Sequence, residues 1–224
     1  MLIFLVLLFP TNDKVMKQYA DYMLLLSPND RVKALVKEHK LHAATVIGQY
    51  ESMHSIAHIS INKMPRQKAF ITEPALLALG KALRTLPPIT LTIDGFDYFN
   101  HGTDYKTIYA KLRSNHQTTQ WFKTLKKHLG LKEFMVPHIT IARNIPVWAF
   151  EQLWPHFKAI NWVEDITINE LTILQRETFA TFKTWEPFIT LPFEARHLVE
   201  PAPPKSAPLK PLSRNIHSGQ MSLF

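Results

Sequence analysis

At 224 residues, with 46% hydrophobic and 20% charged side chains, the chain is sized for one globular domain or two small lobes sharing a core. It has no cysteine, which excludes disulfides, thiolate nucleophiles and Cys-ligated zinc and leaves histidine and the carboxylates to carry chemistry. Lys and Arg total 26 against 18 Asp and Glu, a formal charge of +8; Arg196, Lys205, Lys210 and Arg214 less Glu200 give +3 of it, so the rest carries +5, a mild bias toward anionic partners.

In chain order, Met1 to Phe9 form an almost wholly apolar leader followed by Pro10-Thr11-Asn12-Asp13. No basic residue precedes the run, as a secretory signal requires, and it is far short of the roughly twenty apolar residues of a membrane span. Residues 1–15 are therefore expected to be a mis-assigned start, with translation from Met16 and no membrane attachment.

Asp21-Tyr22-Met23-Leu24-Leu25-Leu26 predicts a buried strand, and Ser27-Pro28 an N-cap with proline at the first helical position, the helix running to about residue 42. A strand is expected at 55–62 and a helix at 73–85, broken by Pro87-Pro88. Strands at 89–99 and 106–113 flank a hairpin turn at 100–104. A helix at 115–129 ends on Gly130, a strand follows at 136–143 and a helix at 146–157. Ile166–Arg176 and Ala180–Leu191 predict two longer antiparallel strands. The order β-α-β-α-β, then β-α-β-α-β-β, gives two similar halves and an α+β rather than a doubly wound fold, over residues 16–195. With six glycines in all, the chain has little material for a phosphate-binding loop, so function must come from side chains.

Two tetrapeptides stand out, His58-Ile59-Ser60-Ile61 and His138-Ile139-Thr140-Ile141. In a strand, alternate side chains share a face, which pairs His58 with Ser60 and His138 with Thr140 and sends the isoleucines to the core. The bare pattern His-x-Ser/Thr is weak evidence: 11 His and 27 Ser plus Thr in 224 residues predict about one match, and four occur, at His58, His101, His116 and His138. Only His58 and His138 have isoleucine at both alternate positions within a predicted strand. Such a pair suits phosphodiester cleavage. In-line displacement at phosphorus needs a base on the attacking oxygen and an acid on the departing one, and histidine serves both near neutral pH. The two hydroxyls can donate to the nonbridging oxygens. No metal or other cofactor is expected, because no third ligand is spaced to join the two histidines.

These motifs, about 80 residues apart, resemble those of the two-histidine (2H) phosphoesterase superfamily, particularly its 2′-5′ RNA ligase-like branch. The resemblance spans residues 18–192 and includes Ser27-Pro28 and Val136-Pro137-His138-Ile139-Thr140-Ile141-Ala142-Arg143; serine in the first motif keeps the hydroxyl of the commoner threonine. It implies a bilobal α+β fold with pseudo-twofold symmetry, antiparallel-rich sheets flanking a central cleft and helices outside. It also implies a metal-independent enzyme acting on 2′,3′-cyclic phosphates or related 2′,5′ linkages of RNA ends or nucleotides; a cytoplasmic monomer is expected. His58 and His138 take the catalytic roles, and Ser60 and Thr140 bind phosphate. The alternative is a non-catalytic nucleic-acid-binding module of the same fold.

Three more residues are candidates for substrate contact. Arg143 could neutralise phosphate, although strict alternation places it opposite His138. Arg176 is the second, and Tyr22 a candidate platform for a base, with core packing the competing role. Lys123, Lys126, Lys127 and His128 suit a solvated helix end better than an RNA patch. Residues 196–224 form a Pro/Lys/Ala-rich tail expected to be disordered. Its tip, Gln220-Met221-Ser222-Leu223-Phe224, resembles the pentapeptide with which bacterial proteins dock on the sliding clamp, with Gln220, Leu223 and Phe224 as the contacts.

Overall fold

The computed structural model describes residues 18–132, 136–181 and 184–195. The leader, the tail and its terminal motif (Gln220, Leu223, Phe224) lie outside the described residues. Twelve elements follow in order: β1 (Tyr19–Leu26), α1 (Asp30–Ile47), β2 (Ile59–Lys68), α2 (Ala69–Leu83), β3 (Ile89–His101), β4 (Tyr105–Leu112), α3 (His116–His128), β5 (His138–Pro146), α4 (Val147–Ala159), β6 (Val163–Ile168), β7 (Glu170–Glu177) and β8 (Glu186–Pro192).

The helix ends show which local signals hold. Asn29, not Ser27, caps α1: its side chain accepts from the Val32 amide at 2.9 Å, which moves the start two residues past the Ser-Pro signal. At the end of α3, Gly130 takes φ +64° and its amide reaches the Lys127 carbonyl at 3.2 Å, while the Leu131 amide reaches Lys126 at 3.1 Å. That crossed pair closes the helix and needs the left-handed conformation glycine adopts without strain. α2 begins four residues earlier than expected, directly from β2, with Pro74 inside it.

All eight strands form one antiparallel sheet in the order β6-β3-β4-β5-β2-β1-β7-β8. Its centre is thin, because β2 and β5 pair only at Ile59 and Ile139. On either side of that rung stand four strands, and β1-α1-β2-α2 and β4-α3-β5-α4 occupy equivalent places about it. The bilobal arrangement inferred from the sequence is real, but the lobes are not consecutive halves of the chain: β3, expected in the first half, joins β4, β5 and β6, while β7 and β8 return to β1 and β2.

The segment expected as one strand over 166–176 is two. Asn169 alone separates β6, which pairs with β3, from β7, which pairs with β1 at the far side of the sheet. Joining such distant positions through one residue requires the sheet to curl into a half-barrel. The buried residues record the break: Ile166 and Ile168 lie on one parity, Leu171 and Ile173 on the other.

The helices pack on one face of the sheet, α1 against β5 and α4, and α2 against β2, β8 and α3. Beneath them one core joins both lobes, with Ile59, Ile61, Ile139 and Ile141 buried in it. Ile139 carries the single rung between lobes and is fully buried. Ile139→Ala is expected to destabilise the fold by about 3–4 kcal/mol; a loss below about 1 kcal/mol in denaturant unfolding would contradict this role.

Candidate active site

His138 is the first residue of β5 and His58 immediately precedes β2, so both imidazoles stand at the mouths of strands that touch at the centre of the sheet. Antiparallel pairing of Ile59 with Ile139 implies that His58 lies opposite Thr140 and Ser60 opposite His138. The four polar side chains then share the face away from the helices, with the histidines diagonal, a spacing of about 7–8 Å between backbones. The expected alternation holds here: the isoleucines are buried and the four polar residues partly exposed.

Each ring is held in the same way. His58 Nδ1 lies 2.8 Å from the Ile56 carbonyl and His138 Nδ1 2.7 Å from the Val136 carbonyl. A carbonyl can only accept, so both Nδ1 atoms carry hydrogen and each Nε2 is left for the cleft. Burial lowers the pKa of His58; the Ile56 carbonyl opposes that shift, and the charges of Lys40, Arg143 and His138 add to it. Burial also lowers His138, against the Val136 carbonyl and with Arg143 adding to the effect.

Strict alternation misplaces Arg143, and the reason is a bulge. Tyr109 pairs with Thr140 and Ile108 with Ala142, so Ile141 is an extra residue and the parity of β5 reverses after it. Ala142 is consequently fully buried, while Arg143 is exposed on the histidine face, where its charge acts on both rings. The same bulge recurs in β2. Leu25 pairs with Ser60 and Leu24 with Asn62, leaving Ile61 extra and turning Lys63 to the cleft five residues after His58, as Arg143 is five after His138. Nothing in the composition announced these bulges; the shared five-residue spacing of a cation was the available signal.

Arg176 lies on the same face but is already engaged. Its Nη2 and Nε contact Asp21 Oδ2 at 2.8 and 2.9 Å, and its guanidinium lies 4.5 Å from the Trp185 ring centroid. Burial alone would raise the Asp21 pKa, yet the Arg66 amide, the Thr178 hydroxyl and Arg176 outweigh it and leave it lowered. Asp21 is also five residues from Leu26, the β1 partner of Ile59, about 17 Å at roughly 3.3 Å per residue. Tyr22 is a correction to the platform reading. It is fully buried on the helix face, edge-on to Phe188, with its hydroxyl 3.1 Å from Glu73 Oε1, and it offers no ring face to a base.

Residues not singled out by the sequence complete the cleft. Phe99 and Tyr109 stack with centroids 4.1 Å apart and pack on the His138 ring at 4.9 and 5.1 Å. Burial and the Asp97 charge push the Tyr109 hydroxyl up to about 12, so it stays protonated. Ser52 serves β5 where β2 diverges from it. Its hydroxyl donates to the Ile141 carbonyl at 3.3 Å and accepts from the Arg143 amide at 2.9 Å, groups on the side of β5 that faces β2. Among the described residues, no three His or carboxylate side chains are grouped to hold a metal ion, and no helix is long and apolar enough to cross a membrane.

Two outcomes are expected. In an NMR titration of the imidazoles both midpoints fall below the ordinary value of about 6.5, and Arg143→Gln raises both, since removing a cation makes protonation easier; unmoved midpoints would place Arg143 outside the cleft. Arg176→Met leaves the buried Asp21 carboxylate with the Arg66 amide and Thr178 hydroxyl but no cation, so it should cost about 3 kcal/mol of stability and leave both imidazole midpoints in place; a stable variant with shifted midpoints would reverse that assignment.

Comparison with known proteins agrees with this architecture. Among curated proteins none matches the chain in sequence. Solved structures match in fold. The Thermus thermophilus protein TT0787 superposes with a TM-score of 0.58 at 16% identity, over 79% of this chain and 100% of that one. Escherichia coli LigT complexed with ATP gives 0.51 at 16% identity, over 79% and 98%. LigT complexed with 3′-AMP gives 0.51 at 15%, over 78% and 98%. At these identities the likeness concerns the fold alone. The sequence profile that matches residues 48–180, more than half the chain and both histidine motifs, is that of one family, and the protein belongs to the 2′-5′ RNA ligase superfamily, within the two-histidine phosphoesterases.

Proposed function

We propose that the protein is a phosphodiesterase that opens 2′,3′-cyclic phosphates, or cleaves related 2′,5′ linkages, at RNA ends or on nucleotides, with His58 and His138 as paired general base and acid. The carrying observation is the matched tethering of the two rings: each Nδ1 is committed to a carbonyl two residues upstream, at 2.8 and 2.7 Å. That leaves two Nε2 atoms on opposite flanks of a polar cleft. Family membership supports phosphodiester chemistry, and LigT, solved with ATP and with 3′-AMP, supports a nucleotide-sized ligand.

The step balances without a redox partner. One neutral imidazole takes a proton from water as the water oxygen attacks phosphorus. The other, protonated, gives its Nε2 proton to the departing ribose oxygen as the P–O bond breaks. Ser60, Thr140 and the Arg143 guanidinium meet the charge gathering on the nonbridging oxygens. The product is a phosphomonoester, and the two imidazoles have exchanged protonation states. No part of this sequence calls on a metal ion.

The sign of the pH dependence follows from the lowered imidazoles. For kcat/KM the base must be neutral and the acid protonated, so the bell is centred below the ordinary histidine value of about 6.5. Bound phosphate raises both pKa values, and the kcat profile is displaced upward relative to it. The test is hydrolysis of a 2′,3′-cyclic nucleotide with EDTA present. Wild type should be active, and His58→Ala and His138→Ala should each lose about 10³-fold or more. Retained activity in both variants would sink the pair, and activity abolished by EDTA would sink the mechanism.

A further inference from the structure

Lys40 sits in α1 with 2% of its surface exposed. Its Nζ donates to three neutral oxygens, the Ser52 carbonyl at 3.1 Å, the Ser55 carbonyl at 2.7 Å and the Ser55 hydroxyl at 2.6 Å. Burial pushes its pKa down to about 8, so it remains mostly charged at neutral pH. A buried ammonium held by neutral acceptors is a costly arrangement, and methionine would fill a similar volume without the charge. What the ammonium holds gives the reason for it.

The segment it grips connects α1 to His58 and touches both histidine strands. Ser55 adjoins Ile56, whose carbonyl orients the His58 ring. Ser52 bonds the backbone of β5 on either side of Ala142, at the bulge that aims Arg143. Tyr50 adds a third tie, its hydroxyl lying 3.0 Å from the Lys40 carbonyl and 3.4 Å from that of Ile141. One buried charge thus sits behind two chains of contact, through Ser55 and Ile56 to His58 in one lobe and through Ser52 to Arg143 in the other.

We propose that Lys40 is a positioning residue that locks the 50–56 segment across the two lobes, setting the orientation of the His58 ring and the aim of Arg143 together. This rests on the two-histidine reading of the cleft. The charged groups that act on His58 are Lys40 from α1 and Arg143 and His138 from β5, whereas of these His138 answers to Arg143 alone. Lys40 therefore makes a nearly symmetric pair unequal.

The test is an NMR titration of both imidazoles in the full-length protein, wild type against Lys40→Met. His58 is expected to titrate higher by roughly half a pH unit, with His138 moving by less than half as much. In the same variant kcat should fall roughly 10–100-fold with KM nearly unchanged, since the defect is misplacement rather than lost binding. A folded variant in which neither imidazole moves, or both move equally, overturns the proposal. Should Lys40→Met fail to fold, Ser55→Ala decides, because it keeps the charge and removes one anchor. It should speed amide exchange at residues 56–58 and leave the His58 midpoint in place; wild-type exchange overturns the proposal. The titration needs no turnover, so a shifted His58 in a protein inactive on every cyclic or 2′,5′ substrate would leave Lys40 in its role and sink the catalytic reading alone.

Discussion

The two lobes meet through the antiparallel rung between Ile59 and Ile139, and the geometry of the cleft follows from where that rung falls. It sits one residue after each histidine and one before each hydroxyl. Because neighbouring side chains in a strand point to opposite faces, the isoleucines that build the rung enter the core and the four polar residues are delivered to the open face. A shift of one residue on either strand would bury an imidazole and expose an isoleucine, so the hydrophobic core itself enforces the register of the site.

The two bulges extend this logic. An extra isoleucine after each hydroxyl, Ile61 and Ile141, reverses the parity of its strand and brings a cation to the cleft face, Lys63 on one side and Arg143 on the other. Near-equivalence is then broken by what surrounds each ring. His138 is packed against Phe99 and Tyr109, while His58 feels the charge of the buried Lys40 and is tethered to the loop that Lys40 grips. The pair has matched geometry and unmatched electrostatics, which suits the proposed roles, in which one imidazole begins neutral and the other protonated.

The α+β class, the repeated strand-helix order and the histidine motifs were legible because they depend on local alternation and chain order, which a sequence displays directly; the membership of the lobes was not, because β3 crosses to the later lobe and β7 and β8 return to the earlier one. Arg143 was not, since one bulge reverses the alternation used to place it. Tyr22 stands in an apolar run with no polar beat to mark its face; the helix-facing side of β1 claims it, with Glu73 meeting its hydroxyl. The break at Asn169 was visible as a change of parity between Ile168 and Leu171, but its consequence, sending β6 and β7 to different lobes, depends on pairing with distant strands. Lys40 gave no signal at all. Its importance comes from burial and from a loop that folds back over it, both products of tertiary structure.

The most direct test of the paired-histidine account is a crystal structure with a uridine–vanadate complex, whose trigonal bipyramid mimics in-line displacement at phosphorus. One apical oxygen should lie about 3 Å from His58 Nε2 and the other at a similar distance from His138 Nε2, with Ser60, Thr140 and Arg143 around the equatorial oxygens. Vanadate bound away from the rung, or with both imidazoles on the same side of the metal-oxide plane, would contradict the account.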